Sequence, residues 1–259
     1  MEHEPTNVIT IDCQYIEPNH AAAYLIIDSG RAAFIDNNTV HAVPLLMDAL
    51  AAQGLSPDCV DYIIITHLHL DHAGGTSALA RHCPNATVLA HPRAVRHLVN
   101  PSRLIAAVKD VYGAESYEKM YAPIHPIEEH RVRAVDDSET MALGARTLTF
   151  LHTRGHANHH ICIHDSGSNG IFTGDTFGVC FRPDRQSERP FLVCSTAPSD
   201  FDPEAARRTA HRLVQTGAQR AYLSHYGELS DVPAGAAVLL ESIERLEAVA
   251  SEAAGRVGE

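Results

Sequence analysis

Positive charge is what this sequence is shortest of. Twenty Lys and Arg residues stand against 32 Asp and Glu, a formal net charge of -12. A surface of that sign repels phosphate backbones and anionic lipid head groups, which argues against nucleic acid and membrane as partners. Long apolar runs are missing too, and none approaches the roughly 20 residues that a membrane span needs. The opening Met-Glu-His-Glu-Pro lacks the basic-then-apolar pattern of a secretion signal. Cysteines at 13, 59, 83, 162, 180 and 194 are scattered without a C-x-x-C pair, which argues against a disulfide framework or a cysteine zinc knuckle. These absences together predict a cytoplasmic protein whose thiols are reduced and mostly buried. No linker rich in Pro, Gly or Ser divides the chain, and it carries no short-period repeat.

What is present is an ordinary globular composition with one oddity. At 45% hydrophobic and 20% charged, the 259 residues can bury a substantial core. The oddity is 18 histidines, nearly as many as all Lys and Arg together, and many of them cluster.

The order of apolar patterns predicts two blocks, each with strands first and helices after. Residues 8–16, 22–27 and 32–35 read as strands, the second and third joined by an Asp28-Ser29-Gly30 turn. Apolar residues at 42, 43, 45, 46, 49 and 50 predict a helix over 41–53, closed by Gly54. The run VDYIII at 60–65 predicts a buried strand, followed by a histidine-rich loop and a Gly74-Gly75 pair that opens another helix. A strand at 87–90 follows, and Pro92 starts a largely helical stretch to about Tyr121. The second block predicts strands at 131–135, 146–152, 160–164 and 171–173, a helix at 203–216, a strand at 220–223 and a closing helix at 234–250. Such blocks imply an α/β chain with two sheets packed face to face and helices outside. Because histidine clusters fall in both blocks, residues 1–259 read as one domain of two half-units, with a helical insertion at about 101–122.

The chemistry concentrates in Thr66-His67-Leu68-His69-Leu70-Asp71-His72, directly after the VDYIII strand. Four ligand-type side chains in six residues at the end of a buried strand suit a metal better than a solvated surface. His67 and His69 are two apart, so in an extended segment both imidazoles point the same way. Asp71 and His72 come as the chain turns into the next helix, where they can face a second point, and Gly74 and Gly75 let backbone crowd close. His156 follows the strand ending at His152, Asp175 sits in Thr173-Gly174-Asp175-Thr176 and His225 in Leu223-Ser224-His225-Tyr226. Each of these leaves a strand C-terminus, so all can converge on one edge of a sheet pair.

The order His-x-His-x-Asp-His, Gly-His, Gly-Asp and Ser-His resembles the metallo-β-lactamase superfamily in its two-metal hydrolase form, over nearly the whole chain to His225. The resemblance implies an αββα sandwich of two mixed β-sheets with helices on the outer faces. It further implies that His67, His69 and His156 hold one divalent metal, that Asp71, His72 and His225 hold the other, and that Asp175 bridges them. Asp36 matches an early family Asp that supports the histidine loop from behind, and His160 matches a family position that orients the imidazole ligands. Arg154 stands where the family usually has Pro, a change that touches the turn and not a ligand. Zinc is the default metal for such a mixed His/Asp set, with iron and manganese suited to the same ligands.

Two divalent ions set against two carboxylates and a bridging hydroxide leave about one positive charge, which favours a developing oxyanion and an activated water. The resemblance thus implies hydrolysis of a small-molecule ester, thioester or lactone, with Asp71 shuttling a proton to the leaving group. Two alternatives come from other classes. One is an iron-dependent oxidoreductase, either a dioxygenase or a di-iron oxygen-binding type. The di-iron branch normally has Glu where His69 stands, and no flavodoxin domain follows. The other is a non-catalytic metal-dependent sensor, since a fold does not fix a function. A glutathione thioesterase is disfavoured by the segment His225-Tyr226-Gly227-Glu228 and by the lack of a basic cluster after it. A lactonase-type Tyr is replaced by Gly178. Around residues 91–98, 101–104 and 224–227 the chain resembles a little-characterised group of hydrolase-like proteins of the superfamily. Tyr112, Tyr117 and Tyr121 on the 101–122 stretch fit a lid, a homodimer surface or plain helix packing. Arg182, Arg185 and Arg189, in the loop after Asp175, read as solvated side chains or anion binders at its border.

Overall fold

The structure, a computed structural model, describes residues 7–181, 191–197 and 200–257. Six strands form a first sheet in sequence order: β1 (Val8–Asp12), β2 (Ala22–Asp28), β3 (Arg31–Ile35), β4 (Val60–Ile64), β5 (Thr87–Ala90) and β6 (Val132–Ala134). The first three pair antiparallel, and β3 through β6 pair parallel. Parallel neighbours need crossovers, and helices supply them. They are α1 (Val43–Ala52) after β3, α2 (Leu70–Ala73) and α3 (Thr76–His82) after β4, and α4 (Pro92–Val99), α5 (Ser102–Tyr112) and α6 (Ala114–Met120) after β5.

The second sheet uses β7 (Thr140–Leu143), β8 (Arg146–His152), β9 (Ile161–Asp165), β10 (Gly170–Gly174), β13 (Arg220–Leu223) and β14 (Gly227–Leu229), in the order β14-β13-β10-β9-β8-β7. A small separate pair, β11 (Val179–Phe181) and β12 (Phe191–Val193), follows β10. Only the β10–β13 pair of the second sheet is parallel, and α7 (Pro203–Gln215) lies in its crossover. The helix α8 (Val232–Val257) closes the chain.

Alternation along the strands then sorts side chains into layers. On β2, Ala22, Tyr24 and Ile26 turn toward the second sheet and pack with Phe150, Ile163, Phe172 and Tyr222. Their neighbours Ala23 and Leu25 turn the other way, into the cluster of Leu46 and Leu50 on α1 and Leu79 on α3. The outer face of the second sheet, through Leu151, Cys162 and Ile171, packs on Ala206 and Leu213 of α7 and Leu239 and Ile243 of α8. The layer order is αββα, an α/β sandwich of two mixed sheets, as the resemblance implied. All six cysteines are unpaired and five are buried. Burial pushes Cys13, Cys162 and Cys194 up to about 12, which keeps them as neutral thiols. No helix of the described residues is long and apolar enough to cross a membrane.

Several boundaries differ from the sequence reading. The first strand ends at Asp12 and not at 16, because Gln14, Ile16 and Asn19 adopt positive φ and the Asp12 carboxylate accepts the Gln14 and Asn19 amides. The strand expected at 131–135 joins the first sheet, parallel to β5, although it follows the chain into the second block. Pairing partners, which local pattern does not carry, decide that. Strands β7, β11, β12 and β14 were not anticipated; each is three or four residues long, too short for a readable alternation. The helical stretch after Pro92 is three helices, with Gly113 at φ 84 between the last two. Arg182, Arg185 and Arg189 lie outside the described residues.

Candidate metal centre

The convergence expected from strand ends is realised at one edge of the sandwich. After β4 the chain bends at Thr66 and Leu68 and is extended again at His69, whose φ of -61 and ψ of 143 precede the first turn of α2. His67 and His69 project together, with His67 Nε2 2.9 Å from His69 Nδ1. The single turn of α2 then swings Asp71 and His72 to a neighbouring point. From the second sheet, the segment after β8 brings His156 Nε2 to 3.0 Å from His69 Nδ1. Asp175, next after β10, and His225, two residues after β13, complete the group. Gly74 and Gly75 crowd a different neighbour from the one expected. A Cβ on Gly75 would meet the carbonyls of Thr39 and Asn37 at 2.8 and 2.9 Å, so the pair lets α3 lie against the 37–39 backbone and not against the centre.

Three sets of side chains each bring one donor atom apiece within 4.8 Å of one another: His67, His69 and His156; His67, His72 and Asp175; and Asp71, His72 and His225. Asp175 lies between the outer two sets. Its Oδ2 is 3.5 Å from His156 Nε2, and its Oδ1 is 3.2 Å from His72 Nε2 and 3.6 Å from His225 Nε2. Asp71 Oδ2 is 3.3 Å from His225 Nε2 and 3.7 Å from His72 Nε2.

Hydrogen bonds behind the imidazoles set which nitrogen faces inward. His72 Nδ1 donates to Asp36 Oδ2 at 2.9 Å, His156 Nδ1 to the Ser195 carbonyl at 3.2 Å and His225 Nδ1 to the His20 carbonyl at 2.9 Å. Thr66 Oγ1 gives its hydrogen to Asp36, so it accepts from His67 Nδ1 at 3.1 Å. In each case the acceptor holds a proton on Nδ1 and leaves Nε2 facing the centre. Asp36 also takes the Thr66 amide and the Ser224 hydroxyl, at 2.8 and 2.9 Å. Among the described residues His160 hydrogen-bonds no other imidazole of the cluster. Its Nε2 accepts the Asp175 amide at 3.3 Å, its Nδ1 pairs with Thr153 Oγ1 at 2.8 Å, and its ring stacks on His67.

Inward lone pairs at such distances repel unless a cation or proton lies among them. Two buried atoms, His72 Nε2 and Asp175 Oδ1, have no hydrogen-bond partner although they are neighbours. An unpaired buried polar atom is costly, and a divalent ion satisfies both. The residues present thus fit a bound metal ion. The acid–base balance divides the cluster. Burial holds His67 well below its ordinary range, helped by His72 and His69, and burial with His156 takes His69 to about 4. Burial also works against charge on His72 and His225, but carboxylates outweigh it and raise both: Asp175, Asp71 and Asp36 around His72, Asp175 and Asp71 around His225. Asp71 and Asp175 are in turn held below the carboxylate range, because His72 and His225 outweigh their burial.

Several residues of the site were not singled out from the sequence. Thr66 and Ser224 each precede a histidine of the cluster, a position that could have flagged them. Ser195, whose hydroxyl donates to Asp175 Oδ2 at 3.1 Å, had no local signal, because it reaches the site only through the tertiary fold. A surface depression of about 390 Å3 between α1 and α3, lined by residues such as Val43, Met47 and Arg81, holds none of the cluster.

A sequence model of the metallo-β-lactamase superfamily matches residues 14–225. A hydroxyacylglutathione hydrolase of Aeromonas salmonicida is 29% identical over 166 residues, 63% of this chain and 46% of that protein; the chain thus matches about half of that relative's length. An acyl-coenzyme A thioesterase of Gallus gallus is 29% identical over 178 residues, 62% of this chain and 59% of its own. A metallo-β-lactamase fold-containing protein of Sulfurisphaera tokodaii is 26% identical over 217 residues, covering 79% of this chain and 78% of that one. Among solved structures, an archaeal metallo-β-lactamase superfamily protein from Sulfolobus tokodaii superposes with a TM-score of 0.72. It is 21% identical, and the alignment covers 93% of this chain and 86% of that one.

Proposed function

This chain belongs to the metallo-β-lactamase superfamily, and from that premise we propose that it is a metal-dependent hydrolase acting on a small-molecule ester, thioester or lactone. The observation that carries the reading is Asp175, buried between two groups of donors with one carboxylate oxygen toward each. In this reading His67, His69 and His156 hold one divalent ion and Asp71, His72 and His225 the other, with Asp175 shared. Zinc heads the candidates, and iron and manganese suit the same donors. Bound metals would supply an activated water and a Lewis acid for the substrate oxygen. The chain's own residues do the rest. Asp36, Thr66, Ser195 and the His20 carbonyl hold the imidazoles and Asp175 in fixed orientation, which preorganises the site. The Asp71 side chain is 26% exposed against 7% for Asp175. It can therefore exchange a proton with a leaving group at the open side while Asp175 stays fixed.

Thioesters rank first among substrates, because two relatives are by name a hydroxyacylglutathione hydrolase and an acyl-coenzyme A thioesterase. The His225-Tyr226-Gly227-Glu228 segment argues for an acyl carrier other than glutathione. Both half-units donate ligands in this reading, so residues 1–259 act as one domain.

Elemental analysis and an anaerobic assay test the proposal together. The purified or reconstituted protein should carry close to two metal ions per chain. Loaded with zinc or manganese, it should cleave acyl thioesters or esters under argon. Asp175→Ala should lose metal and at least 100-fold in rate while its circular dichroism is unchanged. One ion or none after reconstitution would remove the two-metal reading. Turnover only with ferrous iron and oxygen would move the assignment to an oxidoreductase.

A further inference from the structure

Beside Asp71 the wall of the site is built from residues far apart in sequence. Tyr15, in the loop after β1, and Tyr121, just beyond α6, meet hydroxyl to hydroxyl at 2.9 Å. Tyr121 and Tyr117 are buried against Leu70, which lies in sequence between His69 and Asp71. On its other side Tyr15 packs its ring on His20 at 6.0 Å, and His20 packs edge-on against His225 at 5.6 Å. The tyrosine pair therefore borders the group of Asp71 and His225. Asp71 is near enough that its charge adds to burial in raising both hydroxyls, which keeps both as proton donors.

Two features of this wall lack a use within the fold. A pair of hydroxyls can place only one hydrogen between them, so one O–H is left over. Among the described residues neither tyrosine hydroxyl has another hydrogen-bond partner. The surroundings are apolar and open. Ile16, next to Tyr15, is 73% exposed, and Tyr112, whose ring lies 6.3 Å from that of Tyr121, is 58% exposed. The helix α5 that carries Tyr112 has no fully buried residue, although Leu104, Ile105 and Val108 contribute to the same cluster. Tyr112 beside Tyr121 is such an open face at the edge of a polar centre, and exposed apolar side chains there mark a binding surface for an apolar group.

We propose that Tyr15, Ile16, Tyr112 and Tyr121 form the acyl-binding wall of this site: apolar atoms take an alkyl chain of several carbons, and the spare tyrosine hydrogen binds an oxygen of the acyl group. The proposal rests on the hydrolase reading and names its acyl portion as apolar. Continuity of the wall with Asp71 and His225 favours a substrate over a second protein chain. A substrate whose reacting carbonyl lies among those groups must send its acyl or its leaving portion along a neighbouring surface. An alkyl chain matches Ile16 and the tyrosine faces.

The test uses straight-chain carboxylates, acetate through octanoate, titrated by calorimetry into the metal-loaded protein. In parallel, kcat and KM are measured for the matching acyl thioesters. Affinity should rise about two- to fourfold for each CH2 from butyrate to octanoate, the range expected for methylenes that become largely buried. Ile16→Ser and Tyr112→Ser, both at exposed positions where folding is not at stake, should flatten that series to less than 1.5-fold per CH2. Tyr121→Phe and Tyr15→Phe should keep the slope but weaken every member about three- to tenfold, the loss of one hydrogen bond. That loss should appear in KM more than in kcat. A series of equal affinities would overturn the wall even if acetyl thioesters are hydrolysed, and the hydrolase reading would then stand alone. A normal chain-length series without hydrolysis of any ester or thioester would keep the wall and overturn the hydrolase reading. A flat series together with a dimer that Ile16→Ser and Tyr112→Ser dissociate would assign these residues to a subunit contact instead.

Discussion

Histidine does three different jobs in this molecule, and only its partners tell them apart. His72 and His156 turn one nitrogen to a fixed acceptor and the other to the centre, whereas His160 fastens the Asp175 amide. His91 caps a helix: its Nδ1 accepts the Arg93 amide at 3.0 Å at the start of α4, with its ring 4.4 Å from that of His152. That nitrogen must be unprotonated to accept. Burial, then the nearby His152 and His159, takes its pKa down to about 4. Unfolded, the same group takes a proton near 6.5. The unfolded chain therefore binds the proton first, so the stability His91 contributes is complete above pH 6.5 and is lost as pH falls toward 4. A loss of about 1–2 kcal/mol is expected. Asn caps helices about as well and does not titrate. Urea titrations at pH 7 and pH 4.5 should show the parent losing that much more stability than His91→Asn. Equal losses would mean that the folded and unfolded states protonate His91 alike.

At the scale of elements, the site depends on how strands end. Asp175 follows Gly174, whose φ is 49, and a Cβ there would stand 2.5 Å from His160 Nε2 and 2.8 Å from Thr66 Oγ1. The end of β10 thus sits against the two residues that fasten the Asp175 amide and the His67 ring. Gly217 offers a contrast, with φ 74 and nothing within 4 Å of an added Cβ. Gly217→Ala should cost about 1 kcal/mol, the backbone penalty alone. Gly174→Ala adds a clash in a buried, packed place and should cost about 2–4 kcal/mol. It should also lower metal content, because Asp175 moves with it. Thermal melts with elemental analysis of both variants check this, and equal costs would show that the β10 end can shift without consequence.

On the scale of the whole molecule, the two sheets meet in an apolar core and again at the centre. His67, His69, Asp71 and His72 come from the first half of the chain and His156, Asp175 and His225 from the second. A metal that binds both sets stabilises the sandwich by mass action, by about 2.7 kcal/mol per site at a free concentration 100 times Kd. Chelation should therefore lower Tm by about 5–10 °C for each site emptied in a chain of this size, with recovery on adding zinc back. A melt unchanged by chelation would mean that no ion ties the halves together. The net charge of -12 adds a general repulsion within the folded state that bound cations reduce locally.

How much of this was legible in advance follows from which interactions are local. The alternation of Ala22, Tyr24 and Ile26 with Ala23 and Leu25, the strand before His67 and the order of the ligand-type residues are local in sequence, and from them the layers and most of the centre could be read. The membership of β6 in the first sheet, the support of Asp175 by Ser195 and the pairing of Tyr15 with Tyr121 could not. Residues 20 and 106 positions apart meet there, and neither carries a local mark of the other. Periodicity and spacing record which face a side chain takes; only closure of the chain in three dimensions decides what that face meets.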